Sequence, residues 1–417
     1  MTAIGCIADD FTGGSDVAAA LRRSGLSVAL LFDVPDPEAP VPDVDAVVIA
    51  LKTRTVPAAE AVETSLAALA WLQAHGVERV YFKYCSTFDS TDDGNIGPVA
   101  DALLDALGES TTIVCPASPE HGRTMYLGHL FVGGRLLSES SMRHHPLTPM
   151  TDPDIVRVLG RQTAGQVASV SLPVYARGAD AVTVAIKEHE AAGVRHVVTD
   201  AVTEDDLRTV AEGAGSIRLL TGGAGLAGAL GSVIARTAGT PVPASELPAG
   251  PSVVLAGSCS AATLAQVARA TEVMPSYRLD PAVTPDPGQM LKGATDWLAS
   301  QLAKGHDGPV IIYSSAGPED RERARAAMGP DTSEHLELTL GNLARTAVNN
   351  GVRRVVVAGG ETSGAVVQAL GVRSVVIDHE ADRGVPWCLT SDGVALLLKS
   401  GNFGTEDLLV RASGASS

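Results

Sequence analysis

IGCIADDFTGGSDVAAALRRS, residues 4–24, decides how the rest of the chain is read. Ile4 to Ala8 form an apolar run of strand length, two aspartates and a glycine pair break it, and from about Ser15 the apolar residues recur at helical spacing. A buried strand that turns tightly into a helix is half of a βαβ unit, and the same alternation continues outward. Further strands are expected at 28–32, 46–50, 79–84, 112–115, 195–199 and 217–221, with helices at 15–24, 57–75, 97–107, 151–164 and 179–192. The pattern is that of an α/β fold with largely parallel sheets and helices on both faces.

Residues 238–251, AGTPVPASELPAGP, carry four prolines and no apolar period, so they read as a linker. They divide the chain into domains 1–240 and 241–417. Beyond the linker the alternation restarts with strands at 252–256, 309–313, 353–358, 373–377 and 394–399, while the Pro- and Gly-containing stretch 275–293 reads as surface loop. The expected architecture is two α/β domains with an active-site cleft between them.

The chain has 417 residues, 45% hydrophobic and 19% charged, an ordinary globular composition. Its net charge of -17 argues against a nucleic-acid binder, which needs a basic face to displace counterions. Five cysteines, odd in number and without a C-x-x-C, fit reduced thiols better than disulfides or zinc. No signal peptide and no long apolar span are read, so a cytoplasmic location without membrane contact is expected.

Candidate chemistry gathers where strands end. Asp9 and Asp10 follow the first strand, with Thr12 and Gly13-Gly14 beside them, at the edge where open α/β sheets bind ligands. Such carboxylates can bind hydroxyls, hold a cation or act as a base; one of them capping the helix is the plainer alternative. Lys52 and Arg54, after the strand 46–50, could clamp a substrate carboxylate. Lys83 roots a dense polar run containing Ser86, Thr87, Asp89 and Ser90, and Glu120, His121, Arg123 and Thr124 follow the strand 112–115 and could face the same crevice. His121 and His129 are eight apart with no third ligand at metal spacing, and His144-His145 read as surface loop.

TGGAGLAG at 221–228 contains G-x-G-x-x-G, but the acidic residue expected some 20 positions later is replaced by the linker. It reads as an anion-binding turn or as tight strand-helix packing. In the second domain, Gly257-Ser258-Cys259-Ser260, the run Gly359 to Gly364 and the turn Lys399 to Gly404 each follow a strand, offering backbone N–H groups to phosphates. No G-x-x-x-x-G-K-[ST] is present, which excludes a Walker-type NTPase.

Together ADDFTG at 8–13, KYCSTFDST at 83–91, CPASPEHGRT at 115–124, GSCS at 257–260, GGETSG at 359–364 and LKSGNFG at 398–404 resemble the four-carbon acid sugar kinase family over nearly the whole chain. The KYCSTFDST form looks like the 3-oxo-tetronate branch. The resemblance implies an ATP- and Mg²⁺-dependent kinase, a transferase acting on the C4 hydroxyl of a small sugar acid. It places the acid on Asp9, Asp10, Arg54, Lys83 and the 86–90 run with Ser86, Thr87, Asp89 and Ser90; the strand-end reading adds Thr12 and Arg123, and takes Asp10, from its position beside a glycine turn, and Lys83 as the catalytic candidates. ATP falls on Ser258, on Gly360, Glu361, Thr362 and Ser363, and on the turn Gly401, Asn402, Phe403 and Gly404; the strand-end reading adds Gly364, and Lys399, which could neutralise or shape a phosphate pocket. The sequence assigns no metal ligands. Alternatives are a kinase of threonate or erythronate, an NAD-dependent oxidoreductase resting on Gly223, Gly225 and Gly228, and a non-catalytic sugar-acid or nucleotide sensor. A homodimer is the default assembly for such an enzyme.

Overall fold

Runs of consecutive apolar residues such as IGCIA, VALLF and AVVIA are buried at every position, as strands covered on both faces must be. A computed structural model describes residues 2–39, 43–145, 147–238, 243–303 and 308–415. Contacts divide the chain into two compact units, 1–242 and 243–417. The division expected after residue 240 falls within 239–242, which lie outside the described residues.

The first unit runs β1 (Ile4–Ala8), α1 (Phe11–Arg23), β2 (Val28–Phe32), β3 (Ala46–Ala50), α2 (Ala58–Ala74), β4 (Val80–Lys83), α3 (Ile96–Leu107), β5 (Thr112–Cys115), β6 (Arg123–Tyr126), β7 (His129–Val132) and β8 (Arg135–Leu136). It continues with α4 (Ile155–Gln162), β9 (Gln166–Val170), α5 (Leu172–Tyr175), α6 (Ala179–Ala191), β10 (Val194–Thr199), α7 (Glu204–Gly213), β11 (Leu219–Gly222) and α8 (Ala224–Ala238). Its sheet has the order β2-β3-β1-β4-β11-β5-β10-β9 with every pair parallel. Helices α1, α8, α7 and α6 pack side by side in one layer and α2, α3 and α4 in another. A separate antiparallel sheet of β6, β7 and β8 follows β5.

The second unit runs β12 (Ser252–Ala256), α9 (Ala261–Val273), β13 (Ser276–Arg278), α10 (Pro287–Ala303), β14 (Val310–Tyr313), α11 (Pro318–Met328), α12 (Thr332–Asn349), β15 (Arg354–Ala358), α13 (Gly360–Leu370), β16 (Ser374–Asp382), β17 (Val385–Leu389), β18 (Ala395–Lys399) and α14 (Leu408–Ser413). The order β13-β14-β12-β15-β18 is parallel, and β17 and β16 add antiparallel strands beside β18. No helix among the described residues is long and apolar enough to cross a membrane.

Three readings need correction. Helix α1 starts at Phe11 rather than near Ser15, because Asp10 caps it. Residues 275–293 are not one loop: they contain β13 and the start of α10, where Pro287 opens the helix and Met290 and Ala294 are buried. His144 belongs to a short 3₁₀ turn rather than a loop. The strands β6 to β9 and β17 were not foreseen; several are short or half exposed, so they carry no clear apolar run.

Candidate active site

In the first unit β1 pairs with β3 on one side and β4 on the other, so the chain reverses its winding direction beside β1. Ligands in open α/β sheets bind at the carboxyl edge of such a point. Asp9 and Asp10 follow β1 there, Arg54 follows β3, and Lys83 ends β4.

Arg54 forks across both carboxylates. Its Nε and Nη2 each donate to Asp9 at 2.8 Å, and Nη2 also donates to Asp10 Oδ1 at 2.6 Å. Nη1 keeps its hydrogens without an acceptor among the described residues. Asp10 is the N-cap of α1 and accepts from the Gly13 N–H at 3.0 Å and from Thr12 Oγ1 at 2.6 Å. Lys83, 2% exposed, donates to the Tyr84 carbonyl, and its Nζ lies 3.2 Å from the place a Cβ on Gly13 would take. Asn95, which sequence reading missed, fixes the loop that carries Arg54. Its Nδ2 donates to the carbonyls of Thr53, Arg54 and Val56 at 2.7, 3.3 and 2.8 Å.

The electrostatics separate these groups. Burial alone would raise the Asp10 pKa, but Arg54 and Lys83 outweigh it and hold Asp10 below the usual carboxylate range. Burial likewise opposes the Arg54 charge, yet Asp10 and Asp9 push its pKa well above normal. Asp9 is raised by burial even with Arg54 beside it. Asp16, a turn and a half along α1 from its cap, is also raised by burial, while Lys83 and His121 pull the other way and Glu120 adds to it. No hydrogen-bond donor engages the Asp16 carboxylate among the described residues. A carboxylate with both oxygens committed and a lowered pKa is a weak base; one without donors and with a raised pKa is stronger.

The polar run after β4 is ordered. Thr87 Oγ1 donates to Asp89 at 2.6 Å and lies 3.0 Å from Cys85 Sγ. Burial, followed by Asp89, pushes the Cys85 thiol up to about 12, with Arg54 and Lys83 opposing, which places the run beside the charged group. Phe88 and Asp89 hold φ of 65° and 32°, conformations that cost non-glycine residues about 1–3 kcal/mol each and concentrate at functional sites. Ser86 is half-buried, whereas Ser90 is turned to the fold, accepting from Gln162 Nε2 at 2.9 Å.

Other expectations fare differently. Lys52 is exposed and sits 4.9 Å over the Phe11 ring, so it joins no clamp with Arg54, whose fork faces Asp9 and Asp10. Of Glu120, His121, Arg123 and Thr124, Glu120 pairs with Arg23 at 2.9 Å and lies 3.8 Å from His121, Arg123 donates to the His121 carbonyl, and Thr124 lies in the β6–β7 ladder. Glu120 and His121 act on Asp16 through their charges, as does Arg23. The G-x-G-x-x-G glycines serve packing. A Cβ on Gly223 would meet the Pro116 carbonyl oxygen at 2.6 Å, and one on Gly225 the Ala117 oxygen at 2.8 Å.

In the second unit the corresponding reversal lies between β12 and β15. The loop 257–260 is tied to β15 by two N–H groups donating to the Ala358 carbonyl, and Gly359 donates to the Lys399 carbonyl at 2.9 Å. A Cβ on Gly401 would lie 2.4 Å from Ser258 Oγ, so the loop 257–260 and the turn 400–404 meet there. Gly359, at φ 138°, opens α13 without a side-chain cap, leaving the N–H groups of its first turn for an anion. Thr362 and Ser363 are buried in that turn, and Ser363 Oγ donates to the Gly359 carbonyl at 2.7 Å. Glu361 is exposed, as is Asn402, and Phe403 is half-buried. Gly364 lies within the helix. A cavity of about 380 Å³ adjoins these loops, with Leu279, Ala324, Leu336 and Leu340 as apolar walls and Ser314 and Thr362 among its polar groups. Lys399 is 0% exposed and lies beneath the turn, its Nζ donating to the carbonyls of Ser400 and Gly401.

Two family models match the chain in succession, one described as a sugar-binding N-terminal domain over residues 4–230 and one as a nucleotide-binding C-terminal domain over 253–409. The chain is 48% identical to a protein of Burkholderia multivorans named 3-oxo-tetronate kinase, covering 98% of this chain and 96% of the relative. A protein of the same name from Cupriavidus necator matches with the same identity and coverage. A solved structure from Salmonella typhimurium LT2, named for a tRNA synthase, has a TM-score of 0.91 at 40% identity over 99% of each chain.

Proposed function

This chain belongs to the four-carbon acid sugar kinase family, and on that premise we propose that it transfers the γ-phosphoryl group of ATP to the C4 hydroxyl of 3-oxo-tetronate. The observation that carries the reading is the pair of strand-end sites, one charged and suited to a small acid, the other built of glycine turns and an uncapped helix and suited to phosphates. The acid site lies in the unit that matches a sugar-binding model and the phosphate site in the unit that matches a nucleotide-binding one.

The acid's carboxylate docks on the two N–H groups of Arg54 Nη1, held in place by Asp9 and by the loop that Asn95 fixes. Lys83 and the Thr87–Asp89 segment orient the hydroxyls. Asp10 anchors Thr12, Gly13 and Arg54, and Asp16 takes the proton as the C4 oxygen bonds to the γ-phosphorus and the bridging oxygen leaves with ADP. Phosphoryl transfer asks for positioning and neutralised charge more than covalent chemistry. The nucleotide's base occupies the 380 Å³ cavity and its phosphates the α13 N-terminus and the Gly401 turn. Mg²⁺ would enter with ATP and neutralise the charge of the transferring phosphoryl group.

Five thiols outside any disulfide support a reducing, cytosolic setting, and a homodimer is part of the proposal, to be read by sedimentation. The net charge of -17 disfavours a tRNA ligand. Steady-state turnover of Asp16→Asn and Asp10→Asn with Mg-ATP and 3-oxo-tetronate tests the roles. Asp16→Asn should lower kcat by about 10²–10⁴, the usual worth of a general base, with the ATP KM retained. Asp16→Asn at wild-type kcat, with Asp10→Asn inactive, would return the proton to Asp10.

A further inference from the structure

The turn after β18 is held from below by an unusual number of donors. Lys399 Nζ donates to the carbonyls of Ser400 and Gly401, both at 2.9 Å, and to Thr263 Oγ1 at 3.0 Å. The Gly401 carbonyl accepts again from Ser260 Oγ at 2.5 Å and from Thr263 Oγ1 at 2.8 Å. One residue turn further along α9, Gln266 Nε2 reaches the carbonyls of Phe403, Gly404 and Thr405, each at 3.0 Å. The carbonyls of 400, 401, 403, 404 and 405 are therefore all spoken for by buried or half-buried side chains. The N–H groups of Gly401, Asn402 and Gly404 have no acceptor among the described residues, and the residues bearing them are half-buried or exposed. A backbone whose oxygens are drawn to one side presents its N–H groups to an anion on the other.

We propose that Lys399 is a positioning residue for nucleotide binding, which with Ser260, Thr263 and Gln266 fixes the 400–405 carbonyls so that the turn's N–H groups meet a nucleotide phosphate. The inference rests on the reading of the second unit as the ATP site. An ammonium has three hydrogens for its three acceptors; a neutral amine has two, and its lone pair then faces an oxygen. The staple is complete only while Lys399 is protonated. Burial, with no charged neighbour contributing, pushes its pKa down to about 8, inside the working range of an enzyme assay. The groups facing it from α9 and its N-cap (Ser260, Thr263 and Gln266) are uncharged; the charged groups bonded to the far end of the turn, at Thr405, are Asp382, Asp407 and Arg411.

The test is the KM for Mg-ATP and the kcat, measured from about pH 6.5 to about pH 9.5, for the wild type, Lys399→Met and Thr263→Val. Wild-type KM should be flat below about pH 8 and rise about tenfold above it, with kcat changing less than about threefold. Lys399→Met should show the raised KM at every pH and no inflection. Thr263→Val removes one acceptor from the ammonium and should move the inflection to lower pH, a shift that loss of packing alone does not produce. Should Lys399→Met not fold, the other two profiles decide. A wild-type KM flat to about pH 9.5, or a folded Lys399→Met with wild-type KM, overturns the inference while leaving the kinase reading intact. No saturable Mg-ATP binding by the wild type at any pH overturns the nucleotide site itself.

Discussion

Arg54→Met is the sharpest test of the charged site, because its effect on stability is separable from its effect on turnover. The substitution keeps the unbranched stem as far as the position of Nε and removes three hydrogen bonds, two to Asp9 at 2.8 Å and one to Asp10 at 2.6 Å. Asp9, only 6% exposed, is then left in the protein without its counter-charge. Breaking a buried pair by removing one partner costs about 3–5 kcal/mol, and since the Arg54 side chain retains 23% exposure the lower end applies, about 3 kcal/mol. For a unit of this size each kcal/mol lowers Tm by about 2–4 °C, so a drop of roughly 6–12 °C is expected at pH 7. The pH dependence carries the mechanism. Wild-type Asp10 has a lowered folded pKa, so its contribution to stability is complete above the ordinary carboxylate range and is lost as pH falls through the folded value. In the variant, burial without Arg54 raises both carboxylates above their unfolded values, and folding at about pH 5 is relieved by proton uptake. The Tm gap between variant and wild type should therefore narrow from pH 7 to about pH 5 in differential scanning calorimetry. A drop under about 2 °C, or a gap independent of pH, would refute the reasoning.

Further expectations concern the loops. Asn95→Ala strands three carbonyls and frees the Arg54 loop, so KM for the acid should rise about tenfold while KM for ATP stays constant; equal change in both would deny the link. Gly225→Ala sets a Cβ 2.8 Å from the Ala117 oxygen and should lose about 1–3 kcal/mol in urea denaturation, with no nicotinamide-nucleotide binding before or after the change. Gly401→Ala places a Cβ 2.4 Å from Ser258 Oγ, and isothermal titration should record about tenfold weaker Mg-ADP binding, with acid binding untouched.

The strands were legible where burial on both faces leaves an unbroken apolar run, as in β1 to β3 and β12. Periodicity failed at Pro287, which reads as a breaker but starts α10, and at β9, whose exposed positions dilute the pattern. In the site, residue types at strand ends were readable but their partners were not. Arg54 reads as a ligand for a substrate carboxylate because Asp9 lies 45 residues away, and only the adjacency of β1 and β3 brings them together. Asp16 escaped notice because the helix start was set too late, which made it an ordinary first-turn acid. Lys399 was legible as a strand-end cation that could neutralise or shape a phosphate pocket, but its burial under the turn depends on where α9 packs, a tertiary fact without local signal.

The central claim, that this kinase-family chain acts on the 3-oxo acid, is tested most directly by coupled ADP release with Mg-ATP and a panel of enzymatically generated 3-oxo-tetronate, D-threonate, L-threonate and D-erythronate. The account predicts kcat/KM for the 3-oxo acid at least about 10²-fold above every other member. Preference for a threonate or erythronate, or no ADP release with any of the four, would contradict it.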